Sequence, residues 1–189
     1  MKMNVLKGIF ATAIVAVIGF TTANAQEKVN IKESQIKWVG EKLTGSHDGT
    51  IDLKSGYFLM EGGELVGGEF IVDMTTINVT DLEGDSKSDL EGHLNSDDFF
   101  GVSNHKTAKF VINTAAKKGN TYGVSGTLTI KGKSNPIAFD LDMANGKANT
   151  TLKIDRTKYD IKYGSGSFFD NLGDKTIYDE FTLMVNLNY

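Results

Sequence analysis

The chain has no cysteine among its 189 residues. That excludes a disulfide framework, thiol chemistry and a lipidated cysteine anchor. Histidine is scarce as well: His47, His93 and His105 are the only three, and none falls at a metal-binding spacing such as H-x-H or H-E-x-x-H. No serine sits in a G-x-S-x-G elbow, and no glycine-rich loop opens a helix in the way that cradles phosphate. The acidic run Asp85-Ser86-Lys87-Ser88-Asp89-Leu90 puts a lysine and a leucine where a calcium loop needs an oxygen ligand and a glycine. No metal site is therefore expected, and no cofactor is required. A basic surplus is missing too. The net charge is −4, which disfavours nucleic acid as a partner and gives anionic lipid headgroups nothing to hold.

One long apolar run exists, and it lies at the start. "MKMNVLKGIFATAIVAVIGFTTANAQE" has Lys2 and Lys7, an uncharged stretch from Gly8 to Phe20, and small residues at Ala23 and Ala25. An apolar core of about 13 residues is short of the ~20 that span a bilayer, so a signal peptide over 1–25, cleaved before Gln26, is expected. The mature chain, 26–189, would then be one periplasmic or secreted domain with no stable membrane insertion. It loses two lysines and no acids, and becomes more acidic still.

What remains alternates. Phe70, Val72 and Met74 share one face of "EFIVDMTTINV". Tyr122, Val124, Leu128 and Ile130 share one of "YGVSGTLTIKG", and "IAFDLDM" and "FTLMVNLNY" repeat the pattern. A period of two over successive segments is the signature of strands with one apolar face. Asn145-Gly146 between two such runs is a two-residue hairpin turn. Lys118-Gly119-Asn120 marks another reversal, and Gly62-Gly63 and Gly67-Gly68 mark turns or bulges. Strands are expected near 34–44, 47–53, 56–60, 64–74, 106–116, 121–132, 135–144, 147–155, 158–163 and 176–189. A short helix is expected near 86–94, capped by Ser86 or Ser88. A long loop, "GSGSFFDNLGDK", precedes the last strand. The predicted fold is all-β, an antiparallel barrel of about eight strands with one or two short helices, because closure removes exposed edges. Such an interior is either filled by side chains or holds one elongated ligand, and periodicity does not choose between them.

Four stretches in order resemble the YceI-like family of polyisoprenoid-binding proteins: "IKWVGEKLTGSHDGTIDLKSG", "LEGHLNSDDFFGVSNHKTAKFVI", "YGVSGTLTIKGKSNPIAFDL" and "IDRTKYDIKYGSG". Where many relatives carry an aromatic followed by proline, this chain has His105-Lys106. The resemblance implies a lipocalin-like barrel whose apolar interior takes an amphiphilic isoprenoid or quinone-like lipid. It makes GHLNSDDFFG a lid, with Phe99 and Phe100 turned inward and Asp97 and Asp98 facing water. The expected ligand-binding set is Trp38, His47, Phe70, Phe99, Phe100, Phe110, Leu128, Arg156, Tyr159 and Tyr163. Arg156 is the first choice for a head-group, through its bidentate guanidinium. The alternatives are a hydrolase or isomerase using His47, His93 or His105, and a filled barrel with no ligand. The chain is expected as a monomer or homodimer, and not as an enzyme.

Overall fold

The computed structural model describes residues 25–189; the expected signal segment, but for Ala25, lies outside them. Strand β1 (Glu27–Asn30) leads into β2 (Glu33–Lys42), β3 (Gly45–Glu61) and β4 (Glu64–Val79). Helix α1 (Gly84–Asn95) follows, then β5 (Thr107–Lys118), β6 (Thr121–Ile130), β7 (Lys133–Ala144), β8 (Lys147–Asp155) and β9 (Ile177–Asn188). All pairings are antiparallel, in the order β3-β2-β9-β8-β7-β6-β5-β4 with β4 returning to β3. Strands β2 to β9 thus close an eight-stranded barrel. β1 continues the line of β2: Asn30 faces Tyr57 and Ile36 faces Ile51, six residues on in one strand and six back in the other.

The two ends of this barrel are built differently. At one end, the floor, short hairpins turn through Gly62-Gly63, Gly119-Asn120 and Asn145-Gly146. Asn145 and Gly146 both have positive φ (53° and 74°), as the two-residue hairpin turn requires. Beneath these turns Phe58, Leu65, Tyr122, Val124 and Leu141 are buried in one cluster. At the other end, the roof, Leu43-Thr44 and Lys131-Gly132 are short links but the other two connections are long. The β4–β5 link carries α1, and the β8–β9 link runs from residue 156 to 176.

Several boundaries differ from the sequence pattern. The strands expected at 47–53 and 56–60 are one strand, β3, which absorbs the break as a register shift between Leu53 and Ser55. β4 runs on to Val79, five residues beyond expectation. The strand expected near 158–163 does not form. The Asp155 carboxylate instead accepts from the Thr157 amide (3.0 Å) and hydroxyl (2.6 Å). This local closure competes with the ladder and starts a 3-10 turn over Arg156–Tyr159 that ends at Asp160 with φ 63°. Neither Ser86 nor Ser88 caps α1; Glu83 stands at the N-cap without a side-chain bond. The helix is tethered instead from its side, where Glu91 accepts the Val79 amide and Lys87 donates to the Asn78 side chain.

Two seams are loose, both toward the roof. Between β7 and β8 only Asp142–Ala144 and Lys147–Asn149 pair. Pro136 falls on the stretch of β7 with no β8 partner, where a residue lacking an N–H is tolerated. Between β2 and β9, Gly40 faces Phe181 but Lys42 faces Ile177. Tyr178, Asp179 and Glu180 therefore stand opposite Glu41 alone, a bulge that parts the wall.

Candidate functional site: an apolar hollow under a lid

The inward face of the barrel encloses a cavity of about 220 Å³. Its wall is almost wholly aliphatic and aromatic, contributed by every strand from β2 to β9 and by α1. The interior is therefore hollow rather than filled. Of the apolar alternation noted in the sequence, Ile36, Leu53, Val72, Ile130, Phe139 and Leu183 all reach it. Tyr122 and Val124 are buried in the floor cluster.

Backbone glycines make room for two of the largest wall groups. A Cβ on Gly49 would collide with the Trp38 ring, and one on Gly126 with the Phe110 ring. Both rings therefore lie flat against the wall. Trp38 is fixed further by donation from its indole N–H to the Thr50 carbonyl (3.2 Å). Phe110 continues into a chain of aromatic contacts toward the floor, with Phe70 at 6.4 Å and, beyond it, Phe58 at 5.1 Å and Tyr189 at 5.3 Å.

The lid closes the roof. After α1, amides of Phe99 and Gly101 bond to the Ser96 carbonyl and that of Phe100 to Leu94. This tight reversal turns both phenylalanine rings onto the cavity and leaves Asp97 and Asp98 exposed. Phe99 packs edge-on against Phe100 (5.2 Å) and His93 (5.5 Å), and Phe100 reaches Phe181 (6.3 Å).

Arg156 is the one cation on the cavity wall among the described residues. It is only 2% exposed, with its guanidinium 5.6 Å from the Phe99 ring centre. Burial pulls its pKa below the ordinary value, partly countered by Asp179 and Asp155. Three carbonyls hold the fork: Nε donates to Tyr178 (3.1 Å), Nη1 to Ile161 (2.8 Å) and Nη2 to Ile177 (3.0 Å). Asp179 Oδ1 stands at 3.7 Å. Since a guanidinium has five N–H donors, part of the fork is left over for another acceptor.

Of the ten residues expected at the site, Trp38, Phe70, Phe99, Phe100, Phe110, Leu128 and Arg156 line the cavity, and His47, Tyr159 and Tyr163 do not. His47 pairs with Asp81 at 2.8 Å on the outside. Tyr159 is buried behind the wall, its hydroxyl without a hydrogen-bond partner in the protein, and burial pushes its pKa up to about 12. Tyr163 is half exposed and lies against His93 (4.4 Å between rings). Among the described residues no three His, Cys, Asp or Glu side chains are grouped as a metal would need. Sequence reasoning missed Ile77 and Leu94, and missed Glu41, Tyr178 and Glu180, where the wall parts. Ile77 is out of phase with Phe70, Val72 and Met74 because β4 shifts register against β3 between Asp73 and Asn78, so alternation alone does not reach it; the parted wall left no periodic signal either.

The described residues form an eight-stranded antiparallel barrel with an apolar hollow and a helical lid. The chain belongs to the YceI-like domain family, which matches residues 20–189. A UPF0312 protein of Pectobacterium atrosepticum is 32% identical over 65 residues, 34% of this chain and 33% of that protein. One from Photorhabdus laumondii is 32% identical over 73 residues, 38% of each. The chain thus aligns with only 33% and 38% of the length of these two relatives. Among solved structures, BcnA of Burkholderia cenocepacia superimposes with a TM-score of 0.63 at 20% identity, over 82% of this chain and 94% of that one. A polyisoprenoid binding domain from Saccharophagus degradans, implicated in plant cell wall breakdown, gives 0.59 at 14% identity, over 87% and 97%. The Campylobacter jejuni YceI protein gives 0.53 at 17%, over 99% and 93%. At these identities the likeness is one of fold.

Proposed function

We propose that the protein binds an amphiphilic isoprenoid or quinone-like lipid in its barrel and carries or sequesters it outside the cytoplasm, without catalysis. The observation that carries this reading is the hollow itself, apolar on every side with a single buried guanidinium at its roof. The polyisoprenoid binding domain of the same fold supports it, and the signal-like first 25 residues support export.

The energetics favour a hydrocarbon tail. Each buried CH₂ contributes ~0.8 kcal/mol, so one five-carbon unit supplies roughly 3–4 kcal/mol gross. A hydrogen bond from the buried Arg156 guanidinium to a head-group oxygen adds roughly 1.5–3 kcal/mol, no more than one such unit. The tail therefore sets affinity. The head sets orientation, and the uncommitted N–H groups of Arg156 are the donors suited to an oxygen on it. The cavity is a little under the ~300–1,000 Å³ usual for drug-sized ligands, which fits a slender chain better than a ring system.

Native mass spectrometry of the purified protein, followed by organic extraction, tests this directly. A co-purified species with an isoprenoid mass is expected. Trp38, the only tryptophan, sits on the cavity wall and reports uptake by fluorescence: a long-chain quinone added from ethanol should quench it with saturation. No extractable lipid together with unsaturable quenching would leave the binding proposal without support.

A further inference from the structure

Among the described residues, the large apolar side chains that remain exposed are Leu43, Tyr163, Phe168, Phe169 and Tyr178, each about half accessible or more. They come from three separate segments, yet all five gather on residues 176–179. The Leu43 amide donates to the Thr176 carbonyl (3.0 Å). The Ile177 amide donates to the carbonyl of Gly164, next to Tyr163 (2.8 Å). The Ser167 hydroxyl, one residue before Phe168, donates to Asp179 (2.6 Å). Tyr178 also belongs to the parted wall where the cavity reaches the surface. Tyr178 thus joins the rim to the interior.

We infer that this rim is a membrane-docking surface, which seats the mouth of the barrel on a zwitterionic bilayer so that the lipid passes between the two without crossing water. The inference rests on the lipid-binding proposal for its purpose, though not for its geometry. Aromatic side chains partition into the headgroup layer of a bilayer, and peripheral attachment scales with the apolar area inserted. The charge around the rim selects the kind of surface. Six carboxylates, Glu41, Asp160, Asp170, Asp174, Asp179 and Glu180, stand there with Lys42, Lys162 and Lys175, and two further cations pair into the set, Lys153 with Glu180 (3.4 Å) and Arg156 with Asp179 (3.7 Å). Positive and negative groups are thus nearly balanced, which gives an anionic bilayer no attraction and matches the mixed charges of zwitterionic headgroups. No helix of the described residues is long and apolar enough to cross a membrane, so attachment through the rim is reversible and shallow.

The test is flotation of the purified protein with phosphatidylcholine vesicles, comparing wild type with F168S/F169S. Both side chains lie on an exposed loop, and an unchanged melting temperature will show the variant folded. The wild type is expected to float in low and high salt, and the variant to lose on the order of tenfold or more in vesicle affinity. Quinone uptake read by Trp38 should slow in the variant when the quinone is offered in vesicles, and stay unchanged when it is offered from ethanol. Equal flotation of the two proteins would overturn the inference. So would binding that appears only with phosphatidylglycerol and vanishes with salt. Sedimentation showing a dimer that F168S/F169S dissociates, with no vesicle binding, would assign the rim to a second copy instead. Flotation that depends on the rim without quinone uptake from either source would support docking and remove the lipid-binding proposal.

Discussion

The floor and the roof of the barrel are made from the same alternating strands but obey different economies. At the floor, two-residue turns bring the strands together, and Phe58, Leu65 and Val124 are at most 2% exposed. At the roof the chain spends a helix and a 21-residue link, parts its ladders at β2/β9 and β7/β8, and buries an arginine beside phenylalanine. It also leaves His93 Nε2, Asn95 Oδ1 and the Tyr159 hydroxyl buried without partners in the protein. Unpaired buried polar atoms and loose seams both cost stability. Their confinement to one end makes the roof the less regular end, even though Val79, Tyr159 and Ile161 are as deeply buried there as any residue of the floor.

The sharpest way to break this contrast is at the floor. Phe58→Ala should cost about 3–5 kcal/mol in urea unfolding, as expected for a fully buried aromatic. A loss under 1 kcal/mol would mean that the floor is not a close-packed end. Next comes a matched pair of enlargements. Val124→Trp meets a packed floor and should destabilise by about 1–3 kcal/mol. Leu128→Trp points into the hollow and should leave stability within about 1 kcal/mol of wild type while abolishing lipid uptake read by native mass spectrometry. Equal destabilisation by both would indicate that the interior does not accommodate extra volume.

An effect of opposite sign concerns Tyr159. Burial raises its folded pKa to about 12, above the ~10 of an unfolded tyrosine. Its neutral form therefore adds stability that is complete below about pH 10 and lost as pH climbs toward 12. Tyr159→Phe, which cannot ionise, should unfold less readily than wild type in that window. At pH 7 it should be more stable than wild type by about 1–3 kcal/mol, because the cost of a buried hydroxyl without a partner is removed. The smallest effect is expected at His47→Ala. Its pair with Asp81 is at the surface, so the loss should stay below about 1 kcal/mol with lipid uptake unchanged. A lost uptake there would revive a role for this histidine.

The same division explains what could be read from sequence. Period-two runs such as Phe70, Val72, Met74 and Phe181, Leu183, Val185 declare the barrel wall directly, because inward positions must be apolar wherever the ladder is regular. Asn145-Gly146 declares its turn through φ alone. The roof follows no period. Asp155 diverts its neighbours into a 3-10 turn by a side-chain bond, and the β9 bulge depends on how Tyr178–Glu180 meet Glu41 from a distant strand. His47 and Tyr163 carry the chemistry of a binding residue, yet tertiary position turns them outward. The lid was legible only through the resemblance to the YceI-like family; by themselves Asp97-Asp98-Phe99-Phe100 read as no more than a turn.

The flat seating of Trp38 on Gly49 and Phe110 on Gly126 has a consequence for how such a container can change its cargo. Its calibre is set by the backbone behind the rings rather than by the rings themselves. A methyl at Gly126 would press on the Val111 carbonyl of the neighbouring strand before the Phe110 ring, so β5 and β6 would have to part for it to fit. The bore of the hollow is thus tied to the spacing of these two strands.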